Sequence, residues 1–176
     1  MTHFVVEMAG PRTLVEDAGR RGWADLGISG CGAWDRRAYR EGARLVGNAA
    51  GLGCLEVLLG PVRLTCIGEP VLVAATGADV EIDLDGSPRP NGRGFLVADG
   101  QTLTVGAPET GLRSYLSVTG GISATPTFAS VSADPTRGMG PAPLKTGDVV
   151  TVGDGPAGVI TTKPVNVGPA PQELIL

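Results

Sequence analysis

A chain of 176 residues can bury one sizeable core, and at 42% hydrophobic but only 4% aromatic that core has to be built from Val, Leu, Ile and Ala. The 28 Gly and 14 Pro residues are too many for a helical bundle and ordinary for short strands joined by tight turns, while the apolar content excludes a disordered chain. A formal charge of −4, with all but Lys145 and Lys163 of the 14 basic residues being Arg, gives no overall attraction to nucleic acid or to an anionic membrane, so any anion site has to be local.

Three widely spaced cysteines (Cys31, Cys54, Cys66) and an N-terminus without a basic segment leading into an apolar run fit a reduced, cytoplasmic setting. The longest apolar stretch, VLVAA at 71–75, is far short of a membrane span.

In chain order, Phe4, Val6 and Met8 alternate with Val5 and Glu7 and predict a first strand ending at Gly10-Pro11. The segment TLVEDAGRRGW runs from there into a glycine loop, DLGISGCG. Trp34, Ala38, Gly42 and Leu45 then form a helical stripe with Arg36, Arg37, Arg40 and Arg44 opposite, predicting one principal helix over about 34–46 that stops at Gly47-Asn48. Strand signals follow at 55–59, 62–66, 71–76 and 80–84, the last with Glu81, Asp83 and Asp85 on a wet face. FLVADGQTLTV reads as a hairpin turning through a type I′ Asp99-Gly100. Further strands are predicted at 114–118, 149–152 and 159–162, and the last residues, VNVGPAPQELIL, read as a linker followed by the opening of another strand.

Several chemistries fail on spacing. Gly27, Gly30 and Gly32 do not have the dinucleotide-binding spacing, and without any Gly-Lys dipeptide there is no Walker A loop. Ser29-Gly30 is followed by Cys31 where a nucleophile elbow needs Gly, and the sole histidine, His3, stands at the N-terminus, so Cys31 reads as a small buried packing residue. Glu81, Asp83 and Asp85 resemble the start of a calcium loop, but Gly92 stands at its twelfth position, and strand alternation explains the same residues. A zinc site lacks ligands, and the Lys between two Met of a biotin carrier is absent, so neither a metal site nor covalent biotin is expected. Free backbone N–H groups at the helix start, beside Arg20, Arg21, Arg36 and Arg37, leave open either an anion site or an ordinary solvated arginine face.

The runs LVEDAGRRGWADLGISGCGAWDRRAYREGARLVGN, CLEVLLGPVRL, VLVAATGADV, GLRSYLSVTGGI and LKTGDVV, in that order, resemble the KipA-type family. This is the C subunit of the prokaryotic 5-oxoprolinase, also known as allophanate hydrolase subunit 2 or the biotin-dependent carboxyltransferase family. The resemblance implies a mainly β, cyclophilin-like barrel-type fold. It also implies that residues 1–168 are the N-terminal part of the domain and 169–176 a linker and the start of a second half. Implied partners are the B subunit, which is KipI-like, and the lactam-utilisation A subunit, in an assembly that uses ATP to open 5-oxoproline to glutamate.

Position by position, Asp17, Gly19 and Arg20 stand in the family's D-x-G-R element, Gly32, Ala33 and Asp35 in its G-A-M-D, and Leu45 to Asn48 in its L-V-G-N. Thr76, Gly77 and Asp79 match its T-G-A-D, and Tyr115, Gly120 and Gly121 its Y-L-x-V-x-G-G. The catalytic expectation rests on Arg20 as an anion-binding fork, Asp35 as a helix cap or substrate-orienting group, and Asp79 and Tyr115 as hydrogen-bonding groups in the cleft. Asp17, Gly32, Asn48, Thr76, Gly77, Gly120 and Gly121 are expected around the substrate, the glycines for backbone geometry. The chain departs from the family pattern where Glu16 replaces a Gln, Cys31 a Ser and Trp34 a Met, and where 130–143 lacks a Gly-Arg pair. Two other functions remain open: a carboxyltransferase module of a urea or allophanate-type enzyme, and a non-catalytic partner of a KipI-like protein.

Overall fold

The computed structural model describes residues 1–156 together with Ile160 and Lys163. Its elements are β1 (His3–Met8), β2 (Arg12–Glu16), α1 (Arg36–Leu45), β3 (Cys54–Leu58), β4 (Val62–Ile67), β5 (Val71–Leu84), β6 (Ser87–Arg89), β7 (Gly94–Val97), β8 (Thr102–Val118) and β9 (Val149–Thr151), with a 3₁₀ turn at Ala24–Leu26. The mainly β class, with one α-helix among the described residues, is the one the sequence predicts. The strand expected at 159–162 lies, apart from Ile160, outside the described residues, as do the linker and final strand opening.

All pairings are antiparallel, and β8 organises them. Along one edge it pairs with β5 from Val73↔Val118 to Leu84↔Leu103. Along the other edge it is shared, with Leu55–Leu58 of β3 against its C-terminal end and Val62–Thr65 of β4 against its N-terminal end. The sheet runs β2-β3-β8-β4-β1-β9 with β5, β6 and β7 joined through β5. Serving two strands on one edge requires β8 to bend, and the register supplies the bend: the span from Gly77 to Ile82 of β5 pairs with the longer span from Val105 to Ser114 of β8, so the extra residues are on β8, and a bulge kinks its strand and tightens the local twist. The sheet curls into a half barrel.

Its concave interior holds Phe4, Val6, Val57, Val62, Leu64, Leu103, Val105 and Leu116, each at most 1% exposed. Side chains of this size contribute about 1.5–3 kcal/mol apiece on full burial, which is how a core with almost no aromatic residues is held. Alternation is plain in β4, where Val62, Leu64 and Cys66 are buried between Arg63, Thr65 and Ile67.

The helix packs on the outer face of β5 and β8. Its stripe of Ala38, Gly42 and Leu45 is buried as predicted, but Trp34 precedes the helix and is 77% exposed, because Asp35 is the N-cap. Gly42 is required by the close approach: a Cβ there would stand 2.6 Å from Ser117 Oγ. The stop at Gly47-Asn48 is as read, with Gly47 at φ +68° and Asn48 N–H donating to Ala43 O at 2.8 Å.

Three local expectations are corrected. The chain does turn at Asp99-Gly100, where Gln101 N–H donates to Ala98 O at 3.1 Å, but only Gly100 has positive φ, whereas a type I′ turn needs two such residues. Its flanking strands do not pair with each other: β7 pairs with β5, and the start of β8 pairs with β4 and β5. The segments read as separate strands at 71–76 and 80–84 are one strand, and that at 114–118 is the end of the 17-residue β8. Two strands, β2 and β6, are not expected from the sequence; β2 escapes because four of its five residues are buried, which erases alternation.

Candidate active site

Cross-strand register brings a polar set onto the outer face of the half barrel. Leu14 of β2 is opposite Glu56 of β3, Glu16 is opposite Cys54, and Glu56 is in turn opposite Tyr115 of β8. Residues two apart share a face, so Glu16, Glu56, Arg113 and Tyr115 project together, towards the loops rather than into the barrel.

Glu56 is the hub. Its Oε1 accepts from Arg113 Nε at 3.0 Å, and its Oε2 accepts from Tyr115 OH at 2.8 Å and Trp34 N–H at 2.9 Å. The Tyr115 oxygen accepts from Asp35 N–H at 2.7 Å, so one buried phenol ties the sheet to the start of the helix. Burial above all, with the neighbouring Glu56 carboxylate, keeps that phenol protonated far beyond its ordinary range. The Arg113 guanidinium lies over the Trp34 ring at 5.1 Å from its centroid, a cation–π contact.

Beside this network, Asp17 and Arg20 tie a second loop to the first. Asp17 Oδ1 accepts from Gly19 N–H at 2.7 Å, Ser130 Oγ at 2.7 Å and Ser132 Oγ at 2.6 Å, and Oδ2 accepts from Val131 N–H at 2.7 Å. Arg20, 3% exposed, donates from Nε to Thr127 O at 3.1 Å and from Nη2 to Ser132 O, while its buried Nη1 has no partner among the described residues. The fork expected to hold an outside anion is thus engaged by backbone carbonyls. Trp23 against Phe128, with ring centroids 5.1 Å apart, closes the same junction. The segment it anchors runs along the outer edge of β2, where Ala133 N–H donates to Val15 O and Leu144 N–H to Thr13 O, both at 2.9 Å. Gly32 is demanded here: at φ +92° its Cβ would lie 2.7 Å from Gly19 N.

Between these loops and the sheet opens a cleft of about 300 Å³, lined among others by Arg12, Glu16, Cys31, Trp34, Arg113 and Asp134. Glu16 is 4% exposed, and its Oε2 has no hydrogen-bond partner among the described residues. Burial, followed by repulsion from Glu56 and Asp17, pushes its carboxyl up to about 8 against partial relief from Ser132 and Arg20, so it is protonated at neutral pH. Cys31 is not the buried packing residue expected: it is half-buried, takes φ +41° and lines the cleft. Burial raises its thiol, with Asp134 adding to the rise, so the thiolate a nucleophile needs is disfavoured.

The structure disperses the remaining candidates. Asp35 caps the helix, accepting from Arg37 and Ala38 N–H at 2.9 and 3.0 Å. Thr76 donates to Ala38 O at 2.8 Å, and Gly77, at φ +94°, lets β5 approach Tyr115, whose Cδ2 would be 3.2 Å from a Cβ. Asn48, Gly120 and Gly121 gather at the other end of the helix, where Asn48 donates to Val118 O at 2.8 Å and accepts from Gly120 N–H at 2.9 Å. Asp79 is exposed on β5 opposite Thr110, away from the cleft.

Residues 26–174 match the model of the family described as carboxyltransferase domain, subdomain A and B. The chain belongs to the carboxyltransferase-domain family. Among its relatives, the C subunit of the Escherichia coli 5-oxoprolinase is 40% identical over 148 residues, which are 82% of this chain and 47% of that protein. A putative urea carboxylase of Emericella nidulans is 33% identical over 81% of this chain and 12% of its own length. The crystal structure of the Kluyveromyces lactis urea amidolyase superposes with a TM-score of 0.86 at 28% identity, over 93% of this chain and 10% of that one. The chain spans about half the length of the 5-oxoprolinase subunits it matches.

Within this carboxyltransferase domain, the family motifs mark the loop anchors but not the carboxyl that faces the cleft. Glu16 stands out in the sequence only as a departure from the family's Gln. Glu56 and Arg113 carry a local signal all the same: each is a charged residue inside an apolar strand, CLEVL and GLRSYLSV.

Proposed function

We propose that this chain is the N-terminal part, residues 1–168, of the C subunit of an ATP-dependent 5-oxoprolinase. It works with a KipI-like B subunit, together with a lactam-utilisation A subunit, to convert 5-oxoproline, ATP and water to glutamate, ADP and phosphate. The 40% identity to the C subunit of a 5-oxoprolinase carries the reading. A five-membered lactam is a resonance-stabilised amide, so water attacks it poorly, and phosphorylation of its oxygen supplies the electrophile that hydrolysis lacks.

The chain's own residues suit the amide rather than the nucleotide. The helix N-terminus, the natural phosphate cradle, is filled by the Asp35 carboxylate. Together with the missing Gly-Lys loop, this does not fit a nucleoside triphosphate, so ATP is assigned to the assembled complex. Tyr115 and Asp35 hold the cleft wall through Glu56, Asp17 and Arg20 fix the opposing loops, and Thr76, Gly77, Asn48, Gly120 and Gly121 seat the helix that supports them.

The reading is tested by glutamate release, in 5-oxoproline and ATP, from an assembly in which a full-length C subunit with this sequence joins its A and B partners; absence of ATP-dependent release refutes it. A second reading, the carboxyltransferase module of a urea-type amide carboxylase, is favoured by the family description and by the superposition on urea amidolyase. It requires a biotinylated carrier, so inhibition by avidin would select it.

A further inference from the structure

The cleft has a simple charge balance. Glu56 is ion-paired with Arg113 at 3.0 Å and Asp134 with Arg137 at 3.3 Å. Arg12, at the exposed end of β2, has no ion pair among the described residues, and Arg113 spends only Nε on Glu56. One cation is left over. Four residues along the same face of β2, and lining the same cleft, is Glu16, with a buried oxygen that no group of the described chain satisfies. Buried polar atoms are nearly always partnered, so an orphan carboxyl oxygen on a residue that lines the cleft leaves that carboxyl in want of a partner.

Resting on the oxoprolinase reading, we propose that this cleft is a subsite for a small organic anion with a carbonyl at its other end. The Glu16 carboxyl donates a hydrogen bond to the carbonyl oxygen, and Arg12 with the terminal amino groups of Arg113 receives the carboxylate.

A carboxylic acid can donate only while it holds its proton. The groups around Glu16 favour that state. Asp17 on its own chain segment and Glu56 on β3 repel a second negative charge; Cys54, opposite it on β3, is buried and neutral. Arg20 and the Ser132 hydroxyl oppose them weakly, Cys31 is neutral, and the charges of Asp134 and Arg113 are each met by their partners. A Gln at this position would donate at every pH, so Glu makes the subsite sensitive to pH.

The test is calorimetric titration of the chain with 5-oxoproline, and with uncharged 2-pyrrolidone, from about pH 6 to about pH 9.5. Affinity for 5-oxoproline should fall about tenfold per pH unit above the Glu16 titration, and Glu16→Gln should bind with that dependence removed. Arg12→Gln should weaken 5-oxoproline and leave 2-pyrrolidone unchanged. Equal affinity across the range, an unaltered pH dependence in Glu16→Gln, or no binding of either compound overturns the proposal. Glutamate release by the assembly alongside pH-independent binding would remove the subsite and keep the oxoprolinase; pH-dependent binding without glutamate release would do the reverse.

Discussion

Replacing Asp17 by alanine removes the acceptor for four donors at once: the N–H groups of Gly19 and Val131 and the hydroxyls of Ser130 and Ser132, all within 2.7 Å. Asp17 is only 5% exposed, so water does not replace it freely. A hydrogen bond to a charged group contributes about 1.5–3 kcal/mol and a stranded buried donor costs about 1–3 kcal/mol. Because the two hydroxyls can rotate to other acceptors, the four do not sum, and the expected loss is about 3–5 kcal/mol, a large fraction of the stability of a single domain. With a urea dependence of about 2 kcal/mol per molar, the unfolding midpoint should drop by about 2 M. Tryptophan fluorescence is a suitable probe, since Trp23 packs at a tilt against Phe128 at the anchored junction. Asp17→Asn, which keeps one strong acceptor, should lose less. A midpoint for Asp17→Ala within about 0.5 M of wild type would refute the assignment of this carboxylate as the loop anchor.

Other consequences follow from single contacts. Gly32→Ala meets both a positive φ of +92° and backbone at 2.7 Å, so it should cost more than about 2 kcal/mol in the same unfolding experiment. Tyr115→Phe leaves Asp35 N–H without its acceptor and takes one donor from Glu56, for an expected loss of about 1–3 kcal/mol by thermal unfolding. For Glu16 the folded-state value, about 8, is above the ordinary 4.5, so its stabilising contribution is complete below about pH 4.5 and is lost as pH rises towards 8. Wild type should therefore lose stability relative to Glu16→Gln by up to about 1.4 kcal/mol per pH unit across that window, read from urea midpoints at successive pH values.

Strands with one wet face are legible because Val80, Ile82 and Leu84 alternate with Glu81, Asp83 and Asp85, and the helix is legible because its arginine face opposes small apolar residues. What escapes depends on non-local pairing. Nothing near Asp99-Gly100 reveals that β7 will pair with Val71–Ala74 of β5 instead of its sequence neighbour. The middle of β5, opposite the bulges of β8, looks like a break because Gly77 and Asp79 interrupt the pattern, although the strand continues through them. The site divides in the same way. Asp35 stands in a recognisable motif because a helix cap is local, whereas Asp17 finds three of its four donors, and Glu16 part of its surroundings, in a loop more than a hundred residues away in the chain.

The Glu16 carboxyl itself gives the most direct measurement: its carbon chemical shift, followed by NMR through a pH titration with and without 5-oxoproline. The expected midpoint is near pH 8 in the free chain, moved upward by the ligand because only the protonated form donates to it. A midpoint near the ordinary 4.5, or one that 5-oxoproline leaves in place, would contradict it.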